Sequence, residues 1–238
     1  MSYCAFDGRA VLIASWNMRR KRANWDACVA ADFDIALLQE AAPPPATLQG
    51  HVVYEPLEPG RGSPAGTAVW SRWPLTTLSA SRTHPGAAAA AEVATPDGPT
   101  TAVSLYALFD YITFANGARK GFAVTTVHRL LSDLTPHLEE PHRRSRLILG
   151  GDLNCNPSWD KPGRPTNTLL LSRIEAYALR SVVPILPTDE NATFKKRQID
   201  YLFVGNGYAV EAAEVARDGP LTDLSDHHPV VATIGTVA

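Results

Sequence analysis

Five short apolar runs in this chain each meet a polar residue able to handle a cation or a phosphate. Ile13-Ala14-Ser15-Trp16 stops at Asn17, Ile35 to Gln39 at Glu40, and Leu147 to Gly151 at Asp152, with Asn154 two residues on. Gln198-Ile199 stops at Asp200, and the last run begins after Asp226-His227. Runs this short suit buried strands. Strands that end in oxygen-bearing side chains can assemble, at one sheet edge, a divalent-metal site from residues far apart in sequence. Because these positions run from 17 to 227, a single domain over residues 1–238 is the simplest organisation.

The bulk properties agree. With 45% hydrophobic residues in 238, the chain can bury a full core. A net charge of −2 argues against binding polyanions over the whole surface, so any attraction for phosphate must be local. Cys4, Cys28 and Cys155 are too few and too scattered for a disulfide framework or a zinc cluster and read as packed, reduced thiols. The apolar run nearest the N-terminus, Ala10 to Ala14, is too short for a signal segment, and nothing reaches the length of a membrane span. The expectation is a cytoplasmic protein with no membrane contact and no obligate protein partner.

Val11 to Trp16 and Asp34 to Gln39 read as strands around a short helix, Trp25 to Ala31, with Asn24 as its N-cap. Val52 to Tyr54, Gly66 to Trp70, Leu75 to Leu78 and Thr100 to Ala107 read as further strands punctuated by Gly and Pro. Ala87 to Ala91 is low in complexity and is expected on a surface connection. Apolar residues at 123, 124, 127, 130, 131 and 134 follow one helical face, which takes His128 out of any site; Pro136 is expected to close that helix. Arg146 to Gly150 is another strand, and a helix is expected from Thr168 to Leu179. Ile199 to Val204, Tyr208 to Val215 and Pro229 to Ile234 are three closing strands. Strands outnumber helices, so a mixed-sheet α/β sandwich follows rather than strict βαβ alternation.

Leu149-Gly150-Gly151-Asp152-Leu153-Asn154 and Ser225-Asp226-His227-His228-Pro229 resemble the endonuclease/exonuclease/phosphatase superfamily, the fold of deoxyribonuclease I and exonuclease III. Ser15-Trp16-Asn17, Leu38-Gln39-Glu40, the segment Gly66 to Arg72 and Ile199-Asp200-Tyr201-Leu202-Phe203 fall in the family's order. The resemblance implies a four-layer αββα sandwich of two mixed β-sheets flanked by helices, with hydrolysis of a phosphate ester that depends on Mg2+ or Mn2+. It also implies that Asp200 partners His227, that Asp226 lies on the metal side, and that Tyr106 touches the scissile phosphate.

The residues support the chemistry independently. Hydrolysis of a phosphodiester needs an activated water, neutralised phosphoryl oxygens and help for the leaving group. Glu40 and Asn17 are hard oxygen ligands suited to magnesium, and the absence of His/Cys clusters disfavours zinc. Asp152 is the candidate to orient or deprotonate the water, and Asn154 to hold the nucleophile or a phosphate oxygen. His227 is a candidate donor to developing charge. Two basic runs, Arg19-Arg20-Lys21-Arg22 and Lys195-Lys196-Arg197, make up seven of the 22 basic residues and abut site strands, so they are expected to rim one cleft and hold flanking phosphates. The loop from Asn191 to Gln198 is short with a single aromatic, which argues against a pocket for an abasic sugar, and no apolar insertion points to a sphingomyelinase. A nuclease acting on DNA or RNA is the leading expectation. A phosphatase or phosphodiesterase acting on a small phosphorylated metabolite or an inositol phosphate is the alternative.

Overall fold

The computed structural model describes residues 9–58, 64–113, 119–164, 166–186 and 189–237, with backbone alone for 110–113 and 119–122. Cys4 lies outside the described residues. The chain runs β1 (Val11–Asn17), α1 (Asn24–Ala30), β2 (Ile35–Ala41), β3 (His51–Pro56), β4 (Gly66–Ser71), β5 (Leu75–Leu78), β6 (Ala88–Thr95) and β7 (Gly98–Tyr106). An antiparallel pair, β8 (Asp110–Thr113) and β9 (Arg119–Phe122), leads to α2 (Ala123–Asp133), α3 (Thr135–Leu138), α4 (Pro141–Ser145) and β10 (Leu147–Asp152). A 3-10 turn at Pro157–Trp159, α5 (Thr166–Glu175), β11 (Leu179–Ser181), β12 (Asp200–Gly205), β13 (Tyr208–Val215) and β14 (Val230–Thr236) complete it.

Two six-stranded sheets result, ordered β13-β14-β1-β2-β4-β3 and β11-β12-β10-β7-β6-β5. Each is mixed, with one parallel pair, β1 with β2 and β10 with β7, among antiparallel neighbours. Period-2 alternation explains the layering. Ile13, Ile35 and Leu37 pack between the sheets with Ile148 and Leu202, while Ala14, Trp16, Ala36 and Leu38 pack with Trp25 and Cys28 of α1. On the far side, Leu105, Leu147 and Leu149 meet Val127, Leu130 and Leu131 of α2 and Leu170 and Ile174 of α5. Each fully buried Leu or Ile contributes about 1.5–3 kcal/mol. The order is therefore helix, sheet, sheet, helix, the expected four-layer sandwich.

Several elements differ from the sequence expectation. The alanines Ala87 to Ala91 are buried, and β6 carries Ala88 to Ala91 through the second sheet. Ala89 and Ala91 face the first sheet and Ala88 and Ala90 face the helices, so small side chains suit a strand pressed on both faces. Asn24 does not cap α1 from outside. It lies within the helix, fully buried, and its amide donates to the Met18 carbonyl at 2.9 Å. Pro136 opens α3 in its first turn rather than ending a helix. The helix expected to reach Leu179 stops at Glu175, and Ala178, with φ of 57°, turns the chain into β11.

Candidate active site

The site lies where strands of both sheets end together. In the second sheet Asp152 closes β10, with Tyr106 of β7 opposite it on one side and Asp200 of β12 on the other. Two carboxylates directly across a ladder repel, and here Asp152 and Asp200 are 2% and 0% exposed. In the first sheet Asn17 closes β1 beside Gln39. Glu40 follows at an irregularity where the register of β2 on β4 shifts between Leu38 and Ala41, and its φ of 44° re-aims the side chain across the sandwich. Seven described non-glycine residues have positive φ, and Arg19, Arg20, Glu40, Asn154 and Lys195 account for five of them. At about 1–3 kcal/mol each, such strain persists only where surrounding structure enforces it.

Hydrogen bonds knit the two strand edges. The Asn17 amide donates to Asp152 Oδ2 at 3.0 Å and to Glu40 Oε1 at 3.4 Å, while its oxygen accepts from the Arg19 N–H at 2.9 Å. The Tyr106 hydroxyl donates to Glu40 Oε1 at 2.8 Å, and Arg20 Nε donates to Glu40 Oε2 at 2.7 Å. Burial, then the Glu40 charge, holds the Tyr106 phenol far above its ordinary range, so it stays a donor. The Asn154 N–H donates to Asp152 Oδ1 at 3.0 Å, and the Asn154 amide to the Ala107 carbonyl at 3.1 Å.

His227 Nδ1 lies 2.9 and 3.1 Å from the two oxygens of Asp200. Burial pulls the imidazole toward neutrality, but the charge of Asp200 and this hydrogen bond outweigh it, raising His227 to about 9. Burial and then the Asp200 charge push Asp152 well above the ordinary carboxylate range, against the opposing pull of His227 and the Asn17 amide. The cleft in front has a volume of about 430 Å³ and is lined by Glu40, Tyr106, Asp152, Asn154 and His227 together with Lys195, Arg197, Phe109, Trp159 and Phe194.

Asn17, Glu40, Tyr106, Asp152, Asn154, Asp200 and His227 thus converge. Asp226 stands at the margin: its carboxylate is 44% exposed and pairs with Arg19 at 3.5 Å, and its charge adds to the raising of His227. The basic residues divide. Lys195 and Arg197 line the cleft, Arg20 is held on Glu40, Lys21 Nζ donates to the Leu224 carbonyl, and Arg22 and Lys196 stand exposed outside the cleft lining. His128 sits on α2 against Arg173 of α5. Cys28 and Cys155 are free, buried thiols.

Contacts to which the sequence reading assigned no role complete the site. The Phe194 ring stacks on His227 with centroids 4.6 Å apart, and Lys195 Nζ lies 4.9 Å from the Phe194 centroid. Thr193 Oγ accepts the N–H groups of Ile199 and Asp200 and so fixes Asp200. Ser225 Oγ donates to the Asn17 carbonyl at 2.8 Å and accepts the His227 N–H, tying β1 to the loop before β14. Only Ser225 lay inside a recognisable motif.

The two packed mixed sheets, with the site at their shared edge, place the chain in the DNase I-like class of α/β sandwiches. A family model described as Endonuclease/Exonuclease/phosphatase matches residues 14–227, and the chain belongs to that family. The family comprises phosphoric ester hydrolases that use divalent metals. Among solved structures, the chain is similar to an endonuclease/exonuclease/phosphatase from Beutenbergia cavernae, with TM-score 0.68 and 18% identity over 96% of this chain and 72% of that one. It is similar to the endonuclease domain of TRAS1, a telomere-specific non-LTR retrotransposon, with TM-score 0.64 and 17% identity over 97% and 100% of the two chains. It is similar also to a mannosyl-6-phosphatase from Bacteroides thetaiotaomicron, with TM-score 0.56 and 15% identity over 94% and 99%. No curated protein matches the chain.

The donor set suits a hard divalent cation. Glu40, Asp152 and Asp200 offer carboxylates and Asn17 an amide. Ligand atoms of Asp152, Asp200 and His227 lie within 4.8 Å of one another. Burial and the Asp200 charge both raise Asp152, and a cation bound beside it would act in the opposite direction. No described helix is long and apolar enough to cross a membrane.

Proposed function

We propose that this protein is a divalent-metal-dependent phosphodiesterase, and specifically a nuclease that hydrolyses DNA or RNA. One observation carries the reading: a carboxylate-held imidazole and a buried carboxylate face one cleft that is also lined by Lys195 and Arg197, cations suited to phosphates on either side of the scissile one.

Glu40 and Asn17 would hold Mg2+ or Mn2+, with Asn17 turning its amide to present oxygen in exchange for the bond from Arg19. Bound there, the cation would neutralise phosphoryl oxygens and ease charge on the leaving oxygen. Asp200 and His227 satisfy one another, which favours proton handling over metal ligation for that pair. Asp152 orients a water and takes its proton, with Asn154 fixing the carboxylate from the adjacent turn. His227, cationic through Asp200, donates to a phosphoryl oxygen as its charge grows. Tyr106 holds Glu40 in place and lines the same cleft, within reach of a bound phosphate.

Plasmid, single-stranded DNA and RNA incubated with the protein and Mg2+ or Mn2+ test the reading. Cleavage abolished by chelator is expected, and its absence on all three polymers would overturn the nuclease assignment. The likeness to a mannosyl-6-phosphatase favours the second reading, hydrolysis of a small phosphorylated metabolite. Phosphate release from sugar phosphates or inositol phosphates, with polymers left uncut, would establish it.

A further inference from the structure

A second cavity of about 400 Å³ adjoins the catalytic cleft, and the two share Phe109, Asn154 and Trp159. Four large apolar side chains stand exposed among the described residues, and Phe109 (43%) and Trp159 (46%) are the aromatic ones. Both exposed aromatics therefore fall on the boundary between the cavities. An indole half in water forgoes much of the burial such a large side chain could make, and exposed apolar surface beside a site marks a contact surface.

The loop that displays Trp159 is built rather than slack. Asn156 Oδ1 accepts the Ser158 N–H at 2.9 Å, and its amide donates to the Gln198 carbonyl at 2.9 Å, anchoring the 3-10 turn to the segment that leads into β12 and Asp200. On the other side of Trp159, the Asp160 carboxylate accepts from both the backbone and the side chains of Asn167 and Thr168 at 2.7–2.8 Å, fastening the turn to the start of α5. At the cavity's outer lip stand Lys161 and Arg164, exposed and held together by the Arg164 N–H on the Lys161 carbonyl. Among the described residues the lining includes no carboxylate.

We propose that this second cavity is a nucleobase subsite, in which the base of a nucleotide adjoining the scissile phosphate stacks on Trp159 while the next phosphate pairs with Lys161 and Arg164. The assignment rests on the nuclease reading and extends it. A flat aromatic surface suits every base, because each presents a π-face, so the subsite gives affinity and register without sequence preference. The two cations add a salt-dependent hold on the backbone.

The test uses the full chain in chelator, so that nothing is cut, with a short single-stranded DNA and the same backbone carrying tetrahydrofuran in place of every base. Anisotropy gives each dissociation constant. The wild type is expected to bind the base-bearing strand about tenfold more tightly, the scale of stacking one base. Trp159→Ala should erase that preference and Trp159→Phe should keep most of it. Lys161→Ala combined with Arg164→Ala should weaken both strands and lower the salt slope. Equal affinity of the wild type for the two strands, binding of neither, or equal weakening of both by Trp159→Ala overturns the proposal. A base preference in a protein that cuts no polymer with Mg2+ or Mn2+ would overturn the nuclease reading and leave the subsite standing.

Discussion

At the residue scale, the buried charge of Asp200 raises both of its neighbours, His227 and Asp152. His227 is raised to about 9 because Asp200 outweighs its burial. The pair's contribution to stability is therefore complete below the ordinary imidazole value of 6.5 and is lost as pH rises through about 9. If the imidazolium is the donor, activity falls over that same alkaline limb. Asp200→Asn removes the charge, so the alkaline limb of the rate profile should move down toward 6.5, and the His227 proton resonances should titrate with it. Asp152→Asn should separate function from stability. It removes a buried charge opposed by Asp200, so the metal-free protein should gain about 0.5–2 kcal/mol in a denaturant melt, while turnover falls by about 10²–10⁴. A loss of both together would mean that Asp152 is chiefly structural.

At the scale of elements, the site depends on how β2 crosses β7. The Gln39 amide donates to Ser104 Oγ at 2.9 Å, and Ser104 Oγ donates to the Leu38 carbonyl at 3.0 Å, linking the two sheets just before Glu40. Ser104→Ala should cost about 1–3 kcal/mol, read as a lower denaturation midpoint, because the buried Gln39 amide loses one of its two acceptors and keeps only the Leu37 carbonyl at 2.9 Å. Gly151, one residue before Asp152, has a φ of 153°, and any Cβ there would fall on the Leu105 carbonyl oxygen, so β10 can approach β7 this closely only with glycine. The sequence made the site strands legible, because Ile13 to Asn17 and Leu147 to Asp152 show both apolar runs and polar stops. It hid β6, since alanine is a weak strand former and its fitness here comes from burial on both faces. It also hid the aromatic walls. Phe109, Trp159 and Phe194 lie in separate loops, and only the tertiary fold brings them to one cleft.

At the scale of the whole molecule, a net charge of −2 coexists with a cleft lined by Lys195 and Arg197, because Glu40 and Asp152 line the same cleft and offset those cations. The expected rim survives in part, since Arg20 turns in to Glu40 while Arg19 stays exposed and pairs with Asp226, pairings set by backbone turns that charge runs cannot reveal. Metal should couple to folding: Mn2+ at a hundred times its dissociation constant stabilises the native state by about 2.7 kcal/mol. Because protons compete for the raised Asp152 beside the metal residues, this stabilisation should weaken as pH is lowered. Glu40→Gln should remove it and Asp200→Asn should leave it largely intact; the reverse pattern in a thermal melt would place the cation on the Asp200 side.

The most direct measurement is cleavage of single-stranded DNA and RNA by wild-type protein and by Glu40→Gln, His227→Ala and Asp152→Asn, each with Mn2+ and again with chelator. The account predicts metal-dependent cutting by the wild type and its loss in all three folded variants. Cutting that survives chelator, or that Asp152→Asn leaves at the wild-type rate, would contradict it.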